Sequence, residues 1–352
     1  AADGDNRNDR RAPNSPCPFA GIGATMPYYA KPMQSGPEAA PFAWLLEEAD
    51  EGRSGALLTI AAVHGGAPRP VGAQMAVSIG ARFEGFLSGG CVEQAIAREV
   101  EAIIDRGRDA TLRFGMGSPF FDIRFPCGGG IDVLVHVAPT ADLLEEVLYR
   151  MARRQPFSLA FEPNANRCTI LDAVRTTGWS GDVFRRSYLP GTRLCLAGRG
   201  PELEAVVGLG AALNYEMLVA TPDVDTAGRL TRLPAQVRHL SSPSDVVAVP
   251  DDPWTATVLL FHEREWEEPI LAAALNGTGF YIGALGSERT HALRCERLLQ
   301  KGHAAAAVDR ITGPIGMIPA ARDPETLALS VLAEIAVRRR EADQCRDWFE
   351  HG

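Results

Sequence analysis

Three glycine-rich turns, two of them carrying a cysteine, fall close together in the first half of this 352-residue chain. The first is Gly65-Gly66-Ala67-Pro68-Arg69-Pro70-Val71-Gly72. The second is Ser88-Gly89-Gly90-Cys91-Val92-Glu93, and the third is Cys127-Gly128-Gly129-Gly130. Paired glycines let the backbone take angles closed to other residues and let a ligand approach closely. Cys91 stands where a turn opens a helical run, and the amide groups of a helix N-terminus favour anions and lower a thiol pKa. Arg69 is held between Pro68 and Pro70, and a rigidly placed guanidinium suits a bidentate anion contact. The bland account is a tightly turned β structure. In it Cys91 and Cys127 are small buried hydrophobes and Arg69 is an exposed loop residue. Residue types and spacing leave both accounts open.

A second cluster lies further along. Gly198-Arg199-Gly200-Pro201 stands between a short apolar run at 193–197 and a helical run at 202–213, followed by another apolar run at 217–221. Strand, glycine turn, helix and strand in that order open a dinucleotide-type fold. The third glycine of the usual fingerprint is replaced by Leu203, and the ribose-binding acid expected after the second strand is displaced to Asp223. Later apolar runs end at His262 and at Gly283-Ala284-Leu285-Gly286-Ser287. Ligands of such sheets bind beyond the carboxyl ends of the strands. Gly198, Gly200, Asp223, His262 and Ser287 are therefore expected in one crevice, with Pro201 and Gly286 in its turns. His262 is an acid/base candidate there; a loop-tying histidine is the alternative. The other histidines, His64 among them, have no such context and are read as structural or surface residues.

Composition bounds these readings. A hydrophobic content of 46% with 22% charged residues gives enough apolar material for a full core in each of two domains. A net charge of −9 argues against a general nucleic-acid binder. No apolar run has the length of a membrane span, and the leader lacks the apolar core of a signal peptide. Seven scattered cysteines without a CxxC pair give neither a disulfide framework nor a zinc ribbon. A cytoplasmic protein is the expectation.

The elements that must position these residues follow from periodicity. Residues 1–36 are expected to be a flexible arm, which Phe19, Tyr28 and Tyr29 could dock on a neighbour. Residues 37–189 read as a mixed α+β domain. It has a helix at 41–50, strands at 56–63, 74–78 and 82–87, a helix at 92–105, strands at 111–114 and 131–137, and a Thr140-capped helix to 153. Further strands are expected at 156–161, 168–174 and 183–188. Pro190-Gly191 marks a boundary, and 190–352 reads as a Rossmann-like parallel-sheet domain ending in a helix near 324–340. The fold class is α/β.

In order along the chain, Gly66-Ala67-Pro68-Arg69, Gly72-Ala73-Gln74-Met75, Ser88 to Glu93, Cys127-Gly128-Gly129, Gly198 to Pro201, Phe261-His262, Tyr281 to Ser287 with Arg289, Gly313-Pro314-Ile315-Gly316, and the Ala328-Leu329-Ser330 and Ala333-Glu334-Ile335 segments of the last helix resemble the XdhC/CoxI-like family of xanthine dehydrogenase accessory proteins. The family pattern differs at Thr221, where an Asp is usual, at Thr312, where a His is usual, and at Glu263, where an Asp is usual. The resemblance implies a molybdenum cofactor chaperone. Such a protein binds the pterin, assists exchange of a terminal oxo ligand for sulfido, and delivers the cofactor to a molybdenum hydroxylase, with a cysteine desulfurase supplying sulfur. It also implies a homodimer, and an accessory factor more than a turnover enzyme.

The residue reading fits that implication. A phosphorylated, anionic pterin suits Arg69, the amides of Gly89, Gly90 and Gly128, and a helix N-terminus. A Cys91 thiolate could ligate molybdenum or carry sulfur, with Cys127 beside it, and Glu93 could tune that thiol or cap the helix. Two alternatives remain at this point. One is an NAD(P)-dependent oxidoreductase using the Rossmann crevice, where a nucleotide is in any case a candidate ligand; the other is an assembly scaffold with vestigial sites.

Overall fold

The computed structural model describes residues 37–90, 92–120, 125, 128–245 and 249–345. The expected N-terminal arm, Cys91 and Cys127 lie outside the described residues. The chain opens with α1 (Ala40–Asp50), β1 (Gly55–His64), β2 (Gln74–Ser78), β3 (Arg82–Gly85), α2 (Glu93–Arg106), β4 (Ala110–Gly115) and β5 (Gly130–Val137). These strands form an antiparallel sheet in the order β3-β2-β1-β5-β4.

Alternation along the strands sets what covers each face, because successive side chains of a strand point to opposite sides. Ala56, Leu58 and Ile60 of β1 join Val133 and Val135 of β5 under Ile96, Val100 and Ile103 of α2. Leu57, Ala61 and Leu134 face the other way. There they meet α1, α3 (Ala141–Ala152) and a second sheet built from β6 (Phe157–Glu162), β7 (Arg167–Leu171), β8 (Gly178–Ser180) and β9 (Val183–Tyr188). That sheet is antiparallel in the order β7-β6-β9-β8. Its Phe157, Phe161, Phe184 and Tyr188 are buried against the first sheet's outer face, each contributing about 1.5–3 kcal/mol. Thr140 caps α3 by accepting a hydrogen bond from the Leu143 amide at 3.3 Å, as the sequence predicts. β8 was not expected, and the segment read as a strand over 168–174 is the shorter β7.

The second half continues with β10 (Arg193–Gly198), α4 (Gly200–Ala212), β11 (Glu216–Thr221), α5 (Val224–Leu230), β12 (Gln236–His239), β13 (Thr255–Leu260), α6 (Arg264–Leu275), β14 (Tyr281–Ala284), α7 (Glu288–Gln300), α8 (Ala305–Val308), β15 (Ile311–Thr312) and α9 (Pro324–Cys345). The sheet is parallel throughout, in the order β12-β11-β10-β13-β14-β15. Numbered from its own first strand this is 3-2-1-4-5-6, the Rossmann order, whose switch point lies between β10 and β13. Leu194, Leu196, Val258 and Leu260 pack on α4 and α9, whereas Leu259, Phe261 and Ile282 pack on α6 and α7. Helices therefore cover both faces, as expected for a parallel sheet.

Four charged side chains tie the halves together. Arg154, just beyond α3, donates to Glu216 at 2.8 Å and to Asp252 at 3.2 Å. Arg193 of β10 pairs with the same two carboxylates, at 2.7 Å to Glu216 and 2.9 Å to Asp252.

Candidate functional site

Strand register brings the glycine turns to one edge of the first sheet. β1 ends at His64 opposite Gly130, where β5 begins, and Gly115 at the end of β4 also faces Gly130. β2 starts at Gln74 and β3 ends at Gly85, both toward the same edge. Two of the turns touch backbone to backbone: a Cβ built on Gly129 would lie 1.8 Å from the Gly66 carbonyl oxygen, so only glycine permits the contact. Gly90 takes φ +93°, a conformation that favours glycine. Among the described residues, a Cβ on Gly89, Gly90 or Gly128 would meet nothing within 4 Å, so no described residue blocks approach to these three glycines. Arg69 is exposed on the first turn.

Glu93 opens α2 and is 1% exposed. Its carboxylate accepts from the Ser88 amide at 2.7 Å, from the Ser88 hydroxyl at 2.7 and 2.8 Å, and from the Val92 amide at 3.1 Å. Burial pushes its pKa upward, but the Ser88 and backbone hydrogen bonds outweigh that and hold it below the ordinary carboxylate range. Glu93 thus clasps the two ends of the loop that carries Gly89, Gly90 and Cys91. Its oxygens are turned into the protein.

The same edge holds a cluster that sequence reasoning missed. Asp132 receives Arg113 in a fork, Nε to Oδ1 at 2.6 Å and Nη2 to Oδ2 at 2.8 Å. His64 Nε2 lies 2.9 Å from the Oδ2 atom of Asp132 and 2.9 Å from Arg113 Nη2. The Arg113 hydrogen bond, with a smaller share from His64, lowers the Asp132 pKa against the opposing effect of burial. Arg113 and Asp132 are 49 and 68 residues from His64, so no local motif announces the group. The only sequence signal is that each stands in a strand next to a glycine turn.

The Rossmann edge assembles as the strand order requires. Gly198 ends β10, where a Cβ would come within 2.6 Å of the Leu260 carbonyl oxygen of β13. Gly200 takes φ +75° and Pro201 stands in the first turn of α4. Arg199 and Glu263 form an ion pair at 3.2 Å across the switch point. His262 lies 4.0 Å from Glu202, its side chain 71% exposed. Asp223 and Ser287 serve as helix N-caps, accepting from the amides of Thr226 at 2.6 Å and Thr290 at 3.2 Å. The Thr226 backbone hydrogen bond, then its hydroxyl, holds the Asp223 carboxyl below its usual range. One oxygen of Asp223, Oδ1, is thus engaged in capping α5. Gly286 precedes the Ser287 cap with φ +139°.

Among the described cysteines, Cys168 and Cys295 have raised thiol pKa values and Cys195 is pushed up to about 12, each chiefly by burial. None of the three is a thiolate at neutral pH. No described group of three or more His, Cys, Asp or Glu side chains could hold a metal ion. A cavity lined by Pro253, Gly277, Thr278, Phe280 and Arg310 opens at the amino ends of β13 and β14, away from the carboxyl edge where ligands of this fold bind. No described helix is long and apolar enough to cross a membrane.

Comparison with known proteins gives two family matches. Residues 194–335 match the XdhC Rossmann domain, and residues 49–115 match the XdhC and CoxI family. The chain is 40% identical over 296 residues to the molybdenum cofactor insertion chaperone PaoD of Escherichia coli (strain K12), covering 84% of this chain and 87% of that protein. It is 26% identical over 336 residues to a protein of Bacillus subtilis (strain 168) described as a probable component of xanthine dehydrogenase, covering 84% of this chain and 96% of the relative. A crystal structure from Bacillus halodurans, titled as a xanthine dehydrogenase, superposes with a TM-score of 0.68 at 20% identity, over 86% of this chain and 96% of that one. That likeness supports the fold.

Proposed function

This chain belongs to the XdhC and CoxI family, and on that premise we propose that it is a molybdenum cofactor-binding chaperone. It assists sulfuration of the cofactor and its insertion into a xanthine dehydrogenase-type molybdenum hydroxylase. The observation that carries this reading is the 40% identity, over 84% of the chain, to a molybdenum cofactor insertion chaperone. When bound, the cofactor supplies the molybdenum centre at which oxo is exchanged for sulfido.

The residues of this chain suit the group. No described residue blocks the approach of a bulky ligand to Gly89, Gly90 and Gly128 at backbone distance, and the exposed Arg69 offers a cation to its phosphate. Cys91 is the thiol we assign to molybdenum or sulfur, and Cys127 is assigned to the same cofactor. Glu93 holds the intervening loop in shape by its bonds to Ser88 and Val92. The reading includes a cysteine desulfurase as sulfur donor, a homodimer, a cytoplasmic site of action and a nucleotide at the Rossmann edge. There the residues are Gly198, Gly200, Pro201, Asp223, His262, Gly286 and Ser287.

The test is the content of protein co-produced with the cofactor pathway. Pterin and molybdenum co-purifying with the chain, and activation of a hydroxylase on mixing, are the expected results. A nicotinamide nucleotide in place of pterin would overturn the reading in favour of an oxidoreductase.

A further inference from the structure

We infer that the outward stripe of α9 is the surface on which two copies of this chain pair, antiparallel, about a twofold axis beside Ala333. The helix carries apolar residues on two sides. Leu327, Val331 and Ile335 bury one side against the parallel sheet and α4. On the other side Leu329 is 57% exposed, Ala336 is exposed and Ala333 is partly exposed between them. At about 100° per residue these three share a stripe with Glu325 before them and Arg340 after them, and the exposed Val337 stands at its margin. Met317, 56% exposed, and the exposed Ile318 widen the patch. Their amides donate to the Ser330 carbonyl at 3.3 Å and to its hydroxyl at 2.7 Å, next to Leu329.

The charges along the stripe select a second copy as the occupant. Glu325 and Arg340 make no hydrogen bond or ion pair among the described residues, whereas their neighbours do. Asp323 accepts from the Thr326 amide at 2.7 Å, Arg338 pairs with Glu341 at 3.1 Å, and Arg339 pairs with Asp343 at 2.8 Å. Positions 325 and 340 are symmetric about the point between residues 332 and 333, and so are 329 and 336. A twofold axis through that point therefore sets Glu325 against the partner's Arg340, and does so at both ends. It also sets Leu329 against the partner's Ala336, with Ala333 near the axis. A parallel pair would instead oppose Glu325 to the partner's Glu325, so the charges specify the antiparallel arrangement.

Helix geometry permits the match. Glu325 and Arg340 are separated by roughly 22 Å along the axis, at 1.5 Å per residue. A shallow crossing of about 20° keeps both ends of the pair within reach of long side chains. Ala333 and Ala336 let the two backbones approach to about 8 Å. Removing Leu329 and its apolar neighbours from water supplies the attraction, and the end pairs fix register and direction. The contact is isologous and closes on two copies. The pairing rests on the homodimer of the proposed function and on none of its cofactor chemistry.

The experiment is sedimentation velocity on the full chain between about 1 and 100 μM. It compares wild type with Glu325→Arg, Arg340→Glu, the double exchange Glu325→Arg/Arg340→Glu, and Leu329→Asp. All three positions are exposed in the single chain, and circular dichroism checks that each variant is folded. Wild type is expected to be a dimer. Each single exchange should weaken it about tenfold or more, because the twofold axis repeats the like-charge contact. The double exchange should return to within about threefold of wild type, and Leu329→Asp should be a monomer. A wild type that stays monomeric throughout the range overturns the inference, as does a double exchange no tighter than the single ones. A dimer that all four variants leave intact overturns this face while the homodimer itself stands. Pterin content is measured on the same proteins. Dimerisation through α9 in a chain that never retains pterin upholds this face while the chaperone reading fails.

Discussion

Arg199 and Glu263 face each other at 3.2 Å across the switch point of the parallel sheet, where a nucleotide's phosphates would otherwise meet the turn after β10. Arg199 Nε and Glu263 Oε2 are buried and have no hydrogen-bond partner among the described residues. The pair therefore has capacity in reserve for a ligand. Converting Glu263→Gln removes the competing negative charge and frees the guanidinium. Affinity for a phosphate-bearing nucleotide should rise about two- to fivefold, the scale of a partly exposed ion pair. Fluorescence titration with a nucleotide reads this; unchanged or weaker binding would show that Arg199 does not meet the phosphates.

Cys91→Ser keeps size and hydrogen bonding but removes the soft ligand. The variant should unfold at the wild-type temperature while its molybdenum and pterin content falls by about tenfold or more, at least the effect of losing a ligand's support. Cys127→Ser should lose less, because three glycines follow it and no helix begins there. Metal analysis and pterin fluorescence decide. Full retention by both variants would move the chemistry away from the thiols.

Glu93→Ala leaves the Ser88 and Val92 donors buried without their acceptor. Stability should fall by about 1–3 kcal/mol, and cofactor retention should fall with it because the Cys91 loop loses its clasp. Glu93→Gln should lie between the two. Thermal unfolding and pterin content are measured together. A variant that unfolds early yet keeps full retention would make Glu93 a purely structural residue.

Acid should weaken the fold in part through Glu48. Hydrogen bonds from Arg53 hold its carboxyl at about 2 against an ordinary 4.5, aided by Ser78 and by the charges of Arg53 and Arg82, with burial opposing. A lowered folded value means that the unfolded chain binds the proton more readily. The stabilisation is complete above pH 4.5 and is lost as pH falls toward 2. Glu48→Gln should be less stable at neutral pH by about 1–3 kcal/mol and should show a flatter decline between those limits. Denaturant midpoints measured across the range test this; parallel curves for the two proteins would exclude Glu48 as the group responsible.

The fold was legible where short-range rules suffice. Short, largely apolar runs announced β1, β5 and β10, Thr140 announced α3, and Gly198-Arg199-Gly200-Pro201 between strand and helix announced the Rossmann sheet. β12 and the two-residue β15 escaped because edge strands that short carry little pattern. α6 was obscured by Pro269, which lies inside it. At the site, the glycine turns could be read directly, since glycine is selected by local backbone angle and close approach. His64 could not, because its meaning comes from Asp132 and Arg113 on other strands, and only sheet register brings them together. Asp223 and Ser287 stand near the Rossmann edge where the sequence put them, and each also caps a helix, through Oδ1 and Oγ.

The quartet of Arg154, Arg193, Glu216 and Asp252 bears on how cargo would leave. Two guanidinium groups and two carboxylates, all largely shielded from water, cross-link the end of α3 to three points around the parallel sheet. Removing one member of such a set costs up to about 3–5 kcal/mol, so any parting of the halves at this point is opposed by the ion pairs that join them, and contacts exchanged one at a time with a recipient would leave those pairs intact.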